Sequence, residues 1–167
     1  MEHVLGILRI RVLRGVNLAY RDTRGSDPYV VVRMGTQKVK TGVKRRNVNP
    51  EWNEELSLSI MDPIEPLKLE VYDKDRFTRD DQMGDAEFDI RPLLDVFEMN
   101  LEGIPDDTII STIKPSSQNS LVEESHIRWQ GEKVVQNVIL RLRNVECGEI
   151  ELQLTWIKNL NSRSHSH

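Results

Sequence analysis

The sequence predicts an all-β, eight-stranded antiparallel sandwich with one short helix and an insertion in its second half. Three observations predict it. Apolar and polar residues alternate with period two in segment after segment, turn residues separate those segments, and only one stretch has helical spacing. Successive side chains of a strand point to opposite faces, so each alternating segment is a strand with one face buried.

Taken in order, Leu8, Ile10 and Val12 alternate with Arg9 and Arg11 in the first strand. The run Tyr29 to Met34 is valine-rich and reads as a more fully buried strand. Val39 between Lys38 and Lys40 marks a short strand with a basic outer face. Leu56, Leu58 and Ile60 alternate with Glu55, Ser57 and Ser59. Leu67, Leu69 and Val71 alternate with Lys68, Glu70 and Tyr72, and Ala86, Phe88 and Ile90 with Glu87 and Asp89. Val134 to Arg143 and Glu149 to Trp156 read as a hairpin turning near Cys147-Gly148. Turn signals at Gly25-Ser26-Asp27-Pro28, Asn49-Pro50, Asp62-Pro63 and Asp80-Asp81 separate the early strands. The middle differs. Leu93, Leu94, Phe97 and Leu101 have helical spacing over Pro92 to Leu101, with Gly103 beyond. The polar stretch Asp106 to Glu124 is too long for a sandwich turn and reads as inserted chain. Trp52 and Trp156 are predicted in the core, and Trp129, before a Gln130-Gly131 turn, is a candidate surface contact.

The 167 residues fit one domain, expected over 1–160 with a flexible tail at 161–167. The formal net charge of −4 argues against a dedicated nucleic-acid binder, which would be strongly basic. Cys147 is the lone cysteine, so no internal disulfide forms and a reducing compartment is expected. No signal peptide, apolar membrane span or lipidation motif is visible, so any membrane contact is expected to be peripheral. The histidines, His3, His126, His165 and His167, are too scattered for a zinc site.

Two groups of aspartates carry the chemistry: Asp22 and Asp27 in RDTRGSDPYV, and Asp73, Asp75, Asp80 and Asp81 in YDKDRFTRDDQMG. Calcium takes 6–8 oxygen ligands in a flexible geometry, and crowded carboxylates on adjacent loops suit it. Aspartates also stabilise turns by bonding nearby backbone groups, which would account for either loop alone. Two such loops in one sandwich favour the cation.

These residues resemble a known family. GSDPYV after a strand, then NPEWNE, then DKDRFTRDD followed by Gly84 is the signature of C2 domains. The resemblance implies that Asp22, Asp27, Asp73, Asp75 and Asp81 ligate two calcium ions, with the backbone carbonyls of Arg21 and Lys74 completing the spheres. Asp80 is expected to face solvent. The order of loop and first strand resembles the type II topology, which places Glu149 to Trp156 beside the N-terminal strand.

Phe77, at the tip of the second aspartate loop, reads as a membrane-inserting aromatic, or else as a core residue folded under the loop. Arg76 and Arg79 beside it are placed to meet lipid phosphates. Lys38, Lys40, Lys44, Arg45 and Arg46 form a basic group; the C2 resemblance implies a phosphoinositide patch there. An ordinary solvated edge, guarded by lysine against strand pairing, is the alternative.

The segments VVVRMGTQKVKT, NPEWNEELSLSI, QMGDAEFDI, EESHIRWQGEKVVQ and VILRLRNVECGEIELQLTW resemble the small plant C2-domain abscisic-acid-related proteins, whose distinguishing insertion corresponds to roughly Pro92 to Val135. This resemblance implies a calcium-dependent adaptor bringing abscisic-acid receptors to the plasma membrane, with cytoplasmic and nuclear pools. It also implies stimulation of an Obg-like GTPase/ATPase. An enzyme is not expected: Asp73-Lys74-Asp75 superficially matches an aspartyl-phosphate motif, but the alternating helices that chemistry needs are missing, as are G-x-S-x-G and Walker A sequences. Two alternatives stay open. One is a GTPase activator acting mainly in solution, with Arg45, Arg46 and Arg128 as candidate arginine fingers. The other is a calcium-independent C2 scaffold.

Overall fold

The computed structural model describes residues 4–21 and 25–158. Two antiparallel sheets face each other across one core. The strands are β1 (Val4–Val16), β2 (Pro28–Met34), β3 (Gln37–Lys40), β4 (Glu51–Met61), β5 (Leu67–Asp73) and β6 (Asp81–Phe88). After helix α1 (Arg91–Phe97) come β7 (Thr108–Ile113), β8 (Ser125–Gln130), β9 (Lys133–Arg141) and β10 (Glu149–Lys158). One sheet runs β4-β1-β10-β9-β8-β7 and the other β3-β2-β5-β6. β10 lies beside β1, with Leu8 opposite Trp156 and Ile10 opposite Leu154, as the type II order requires.

The period-two pattern builds the core directly. Leu8, Ile10 and Val12 of β1, Val30 and Val32 of β2, Leu67, Leu69 and Val71 of β5, and Ile150, Leu152 and Leu154 of β10 are all fully buried. Their neighbours Arg9, Arg11 and Arg14 face outward and pair with Glu55 and Glu151. Trp52 and Trp156 are buried as expected. Trp129, the candidate surface contact, is half-buried: it packs against the core and also lines a surface cleft with Phe97 and Lys158.

The eight expected strands are present, and two more appear. Thr108–Ile113 is a strand within the stretch read as polar connection, and β8 pairs with it. Its sequence, Thr-Ile-Ile-Ser-Thr-Ile, is rich in β-branched residues, which fit a pleated surface. The alternation that would reveal it is broken by a bulge between Ile109 and Ser111. The helix ends at Phe97 rather than Leu101. Asn100 Oδ1 accepts the Glu102 N–H at 3.1 Å, a local turn that leads the chain out of the helix, although Leu101 remains buried.

Gly84 interrupts the β5–β6 register at a bulge and has φ of +105°. A Cβ there would lie 2.6 Å from Val145 Cγ1 and 3.0 Å from the Arg143 carbonyl. Only glycine lets the 142–145 turn close on β6. That turn carries Arg143, whose guanidinium reaches Asp85 at 2.6 Å, while Asn144 Nδ2 donates to the other Asp85 oxygen at 2.7 Å.

Burial pushes the Asp85 carboxyl up, but the bonds from Asn144 and Arg143 and the guanidinium charge outweigh it and hold the group below the usual carboxylate range. A carboxyl depressed in the folded state contributes stability that is present above its unfolded pKa, about 3.9, and is lost as pH falls through the folded value. Arg143→Ala is therefore expected to lower stability at neutral pH and to flatten its acid loss below about pH 4, read from urea midpoints between pH 2 and 7.

Candidate cation and membrane-binding site

The site lies at one pole of the sandwich, where β1 ends, β2 begins and β5 meets β6. Asp27 directly precedes β2, Asp73 ends β5 and Asp81 opens β6. The ladders set Pro28 opposite Asp73 and Asp73 opposite Asp81, so the two distant aspartate motifs meet. Asp27 donates its N–H to Asp73 Oδ1 at 2.8 Å, and Lys74 N–H reaches back to the Asp27 carbonyl at 3.0 Å. Asp27 Oδ1 in turn accepts the Arg46 N–H at 2.8 Å, which draws the 41–47 loop onto the same pole. The result is a cleft of about 570 Å³ whose walls include Asp27, Asp73, Asp75, Arg45, Arg46 and Phe77.

The base of this pole is fixed by Ser26. It is buried, its hydroxyl donates to the Ala19 carbonyl at 2.8 Å, and it accepts the Arg21 N–H at 3.0 Å. The Arg21 side chain is anchored to Glu146 at 3.0 Å, leaving its backbone at the rim. Asp22 lies outside the described residues.

Asp73 is nearly buried, Asp75 half-buried and Asp81 exposed. Asp75 Oδ1 accepts the N–H of Phe77 at 2.9 Å and of Thr78 at 3.3 Å. The Phe77 N–H, then the Thr78 groups, hold the Asp75 carboxyl below its ordinary range. The group is thus kept anionic. Hard oxygen donors gathered at one cleft are chemically suited to calcium. Among the described residues, no three His, Cys, Asp or Glu side chains converge closely enough to chelate an ion. Like charges at one pole repel, and backbone donors hold Asp27 and Asp75 each in its own place.

Asp80 departs from expectation. It is half-buried rather than turned to solvent. Its Oδ1 accepts the Asp75 N–H at 2.9 Å, its Oδ2 accepts the Tyr29 hydroxyl, and Lys74 Nζ lies 3.8 Å away. The Asp75 N–H, with the Tyr29 hydroxyl, holds the Asp80 carboxyl low; burial, with Asp80 beside it, raises Tyr29. Tyr29 stacks on Tyr72 with ring centroids 5.6 Å apart. Tyr29 and Tyr72 escape sequence reasoning as site residues because both sit in strands whose pattern speaks only of burial.

Phe77 is 93% exposed at the loop tip, so it is not a core residue; Arg76 and Arg79 beside it are exposed. Val43, also exposed, lines the same cleft. The basic group divides in two. Arg45 and Arg46 join the aspartate cleft, whereas Lys38 and Lys40 project from edge strand β3, opposite Arg33 and Val31 of β2. Lys44 is half-buried in the connecting loop, its N–H bonded to the Pro28 carbonyl at 3.0 Å. Arg128 lies on β8 of the other sheet, paired with Asp107 at 3.5 Å, away from Arg45 and Arg46. Among the described residues no helix is long and apolar enough to cross a membrane.

The C2 domain family model matches residues 6–102. The chain is 58% identical over 157 residues to "Protein C2-DOMAIN ABA-RELATED 3" of Arabidopsis thaliana, covering 94% of each chain. It is 59% identical, with the same coverage, to "GTPase activating protein 1" of Oryza sativa subsp. indica. Among solved structures it resembles a C2 domain of plant Extended Synaptotagmin 1, at TM-score 0.60 and 24% identity over 94% of this chain and 98% of that one. It also resembles the calcium-bound tandem C2 domains of Extended-Synaptotagmin 2, at TM-score 0.66 and 22% identity over 95% of this chain and 48% of that one. With its two-sheet fold, its aspartate loops and these relatives, the chain is a C2 binding module and belongs to the C2-domain ABA-related family.

Proposed function

We propose that this C2 domain is a calcium-dependent phospholipid-binding adaptor. One observation carries the reading: carboxylates from both aspartate motifs share a cleft with exposed Phe77 and with Arg45 and Arg46. Asp22, Asp27, Asp73, Asp75 and Asp81, with the Arg21 and Lys74 carbonyls, would hold two calcium ions. Calcium supplies positive charge that cancels the repulsion of these carboxylates and lets the pole approach anionic headgroups. The chain's own groups then do the docking. Phe77 buries apolar area, worth roughly 1.5–3 kcal/mol if fully buried. Arg45, Arg46, Arg76 and Arg79 meet phosphates at the pole, while Lys38, Lys40 and Lys44 extend the contact toward a phosphoinositide headgroup.

The relatives' names go as far as abscisic-acid-related and GTPase-activating; the partners proposed for the docked domain are an abscisic-acid receptor and an Obg-like GTPase/ATPase that it stimulates without being an enzyme itself. The segment 92–135, read as an insertion within a single domain, or another face of the sandwich away from the aspartate pole, would hold them. Binding a receptor and a membrane together raises their effective concentration at the plasma membrane. The protein would exchange with cytoplasmic and nuclear pools when calcium falls.

The test is co-sedimentation with phosphatidylserine vesicles across calcium concentrations, with and without phosphoinositide. Calcium-dependent pelleting, lost with a chelator and weakened at least about threefold in Phe77→Ala, is expected. Pelleting that ignores calcium would overturn this reading and leave the calcium-independent scaffold. Stimulation of an Obg-like GTPase that needs neither calcium nor vesicles would favour the activator acting in solution.

A further inference from the structure

Four strands form the edges of the two sheets: β4 and β7 of one, β3 and β6 of the other. An edge exposes backbone N–H and C=O groups that invite another strand, and folded proteins guard them with charge, cover or side-chain bonds. Three of these edges are guarded. β3 carries Lys38 and Lys40. On β4, the Gln37 amide mimics a strand, donating to the Ser59 carbonyl at 2.6 Å and accepting the Ser59 N–H at 2.9 Å; Glu51, Glu54 and Glu55 add charge. On β6, Arg143 exchanges two backbone bonds with Asp85, at 3.1 and 2.7 Å.

β7 has none of these devices. It contains no charged residue and no proline, and Ile109 is 45% exposed on it. Among the described residues, neither a loop nor a side chain bonds its outer edge: Thr108 Oγ1 turns back to Pro105, and Thr112 Oγ1 to His126 of β8. The charges lie just beyond its ends and have opposite sign. Asp106 and Asp107 precede it, and Lys114, which forms no ion pair among the described residues, follows it.

We propose that β7 pairs antiparallel with β7 of a second copy of this chain, joining two six-stranded sheets edge to edge. The charge order selects this occupant and this direction. Pairing about Ile110 sets Asp106 of each copy against Lys114 of the other, twice over, while Asp107 stays with Arg128 of its own chain; a parallel copy would set like charge on like. Cross-strand opposite charges stabilise a pair and like charges oppose it. The bulge at Ile109–Ser111 keeps the pairing short, so the dimer is weak in dilute solution and grows with concentration.

Sedimentation velocity of the full chain from about 10 μM to about 1 mM tests this. The wild type is expected to pass from monomer to dimer. Lys114→Asp, which makes both ends acidic, and Ile109→Lys, an exposed position given an edge guard, should each weaken association at least about tenfold, with unchanged thermal melting. In a Cys147→Ser background, Ile110→Cys at the two-fold centre should cross-link to itself under mild oxidation. A wild type that stays monomeric throughout would overturn the proposal. So would a dimer that both charge variants leave as tight as before, or one that Ile110→Cys fails to trap. Calcium-dependent vesicle binding by these variants is expected to match the wild type, which separates this surface from the aspartate pole.

Discussion

Asp27→Asn combined with Asp75→Asn is expected to abolish calcium-dependent vesicle binding in the micromolar range while leaving the fold intact. Each asparagine keeps an oxygen where the carboxylate had one, so it can still accept the Arg46 N–H now at 2.8 Å and the Phe77 N–H now at 2.9 Å. The loops therefore retain their internal bonds, and what is lost is two units of negative charge at the cleft. Calcium affinity follows ligand charge, so the calcium needed for half-maximal co-sedimentation should rise by about tenfold per carboxylate, or roughly 100-fold for the pair. Thermal melting without calcium is the control and should not fall, because the repulsion among the aspartates is relieved. An unchanged calcium titration in the double variant would remove the aspartate pole as the cation site.

Trp156→Ala should produce the largest loss of stability, about 3–5 kcal/mol. Trp156 is 4% exposed, lies across from Leu8 and Val134, and meets Phe97 edge-on at 6.3 Å. It therefore ties β1, β9 and α1 together, and alanine would leave a cavity that three separate elements would have to close at once. Urea unfolding should show a lower midpoint with an unchanged slope. Calcium-dependent vesicle binding of the fraction still folded should persist, because Trp156 sits toward the end of β10 far from the aspartates. A loss below about 1.5 kcal/mol would mean that this end of the sandwich repacks freely.

Much of this is legible in the sequence because the sandwich is built from the plainest of signals. Leu8-Arg9-Ile10-Arg11-Val12 can satisfy its apolar residues only as a strand with one wet face, and its partners Leu152 and Leu154 repeat the pattern. β7 is hidden because its bulge breaks the alternation and its Ser and Thr residues lower its apolar contrast. At the aspartate pole, ladder register brings Asp27, Asp73 and Asp81 together, and strand ends carry their side chains in predictable order. Asp80 misleads for a different reason. Whether a loop carboxylate meets water or a tyrosine hydroxyl depends on tertiary approach, and nothing near Asp80 in the chain announces Tyr29, 51 residues earlier. Arg45 and Arg46 likewise follow Lys38 and Lys40 in sequence, yet the loop between β3 and β4 carries them to a different place.

The pairing of β1 with β10 has a practical corollary. Gly6 stands opposite Lys158, while Val16 stands opposite Glu149 close to the aspartate loops, so both outer strand ends leave from the pole remote from the cleft. A fluorescent reporter attached at the exposed Ile7 or at Lys158 would sit on the side away from the proposed membrane-facing pole, and a short linker between these two strand ends would allow the chain to be reopened elsewhere without disturbing the aspartate cleft.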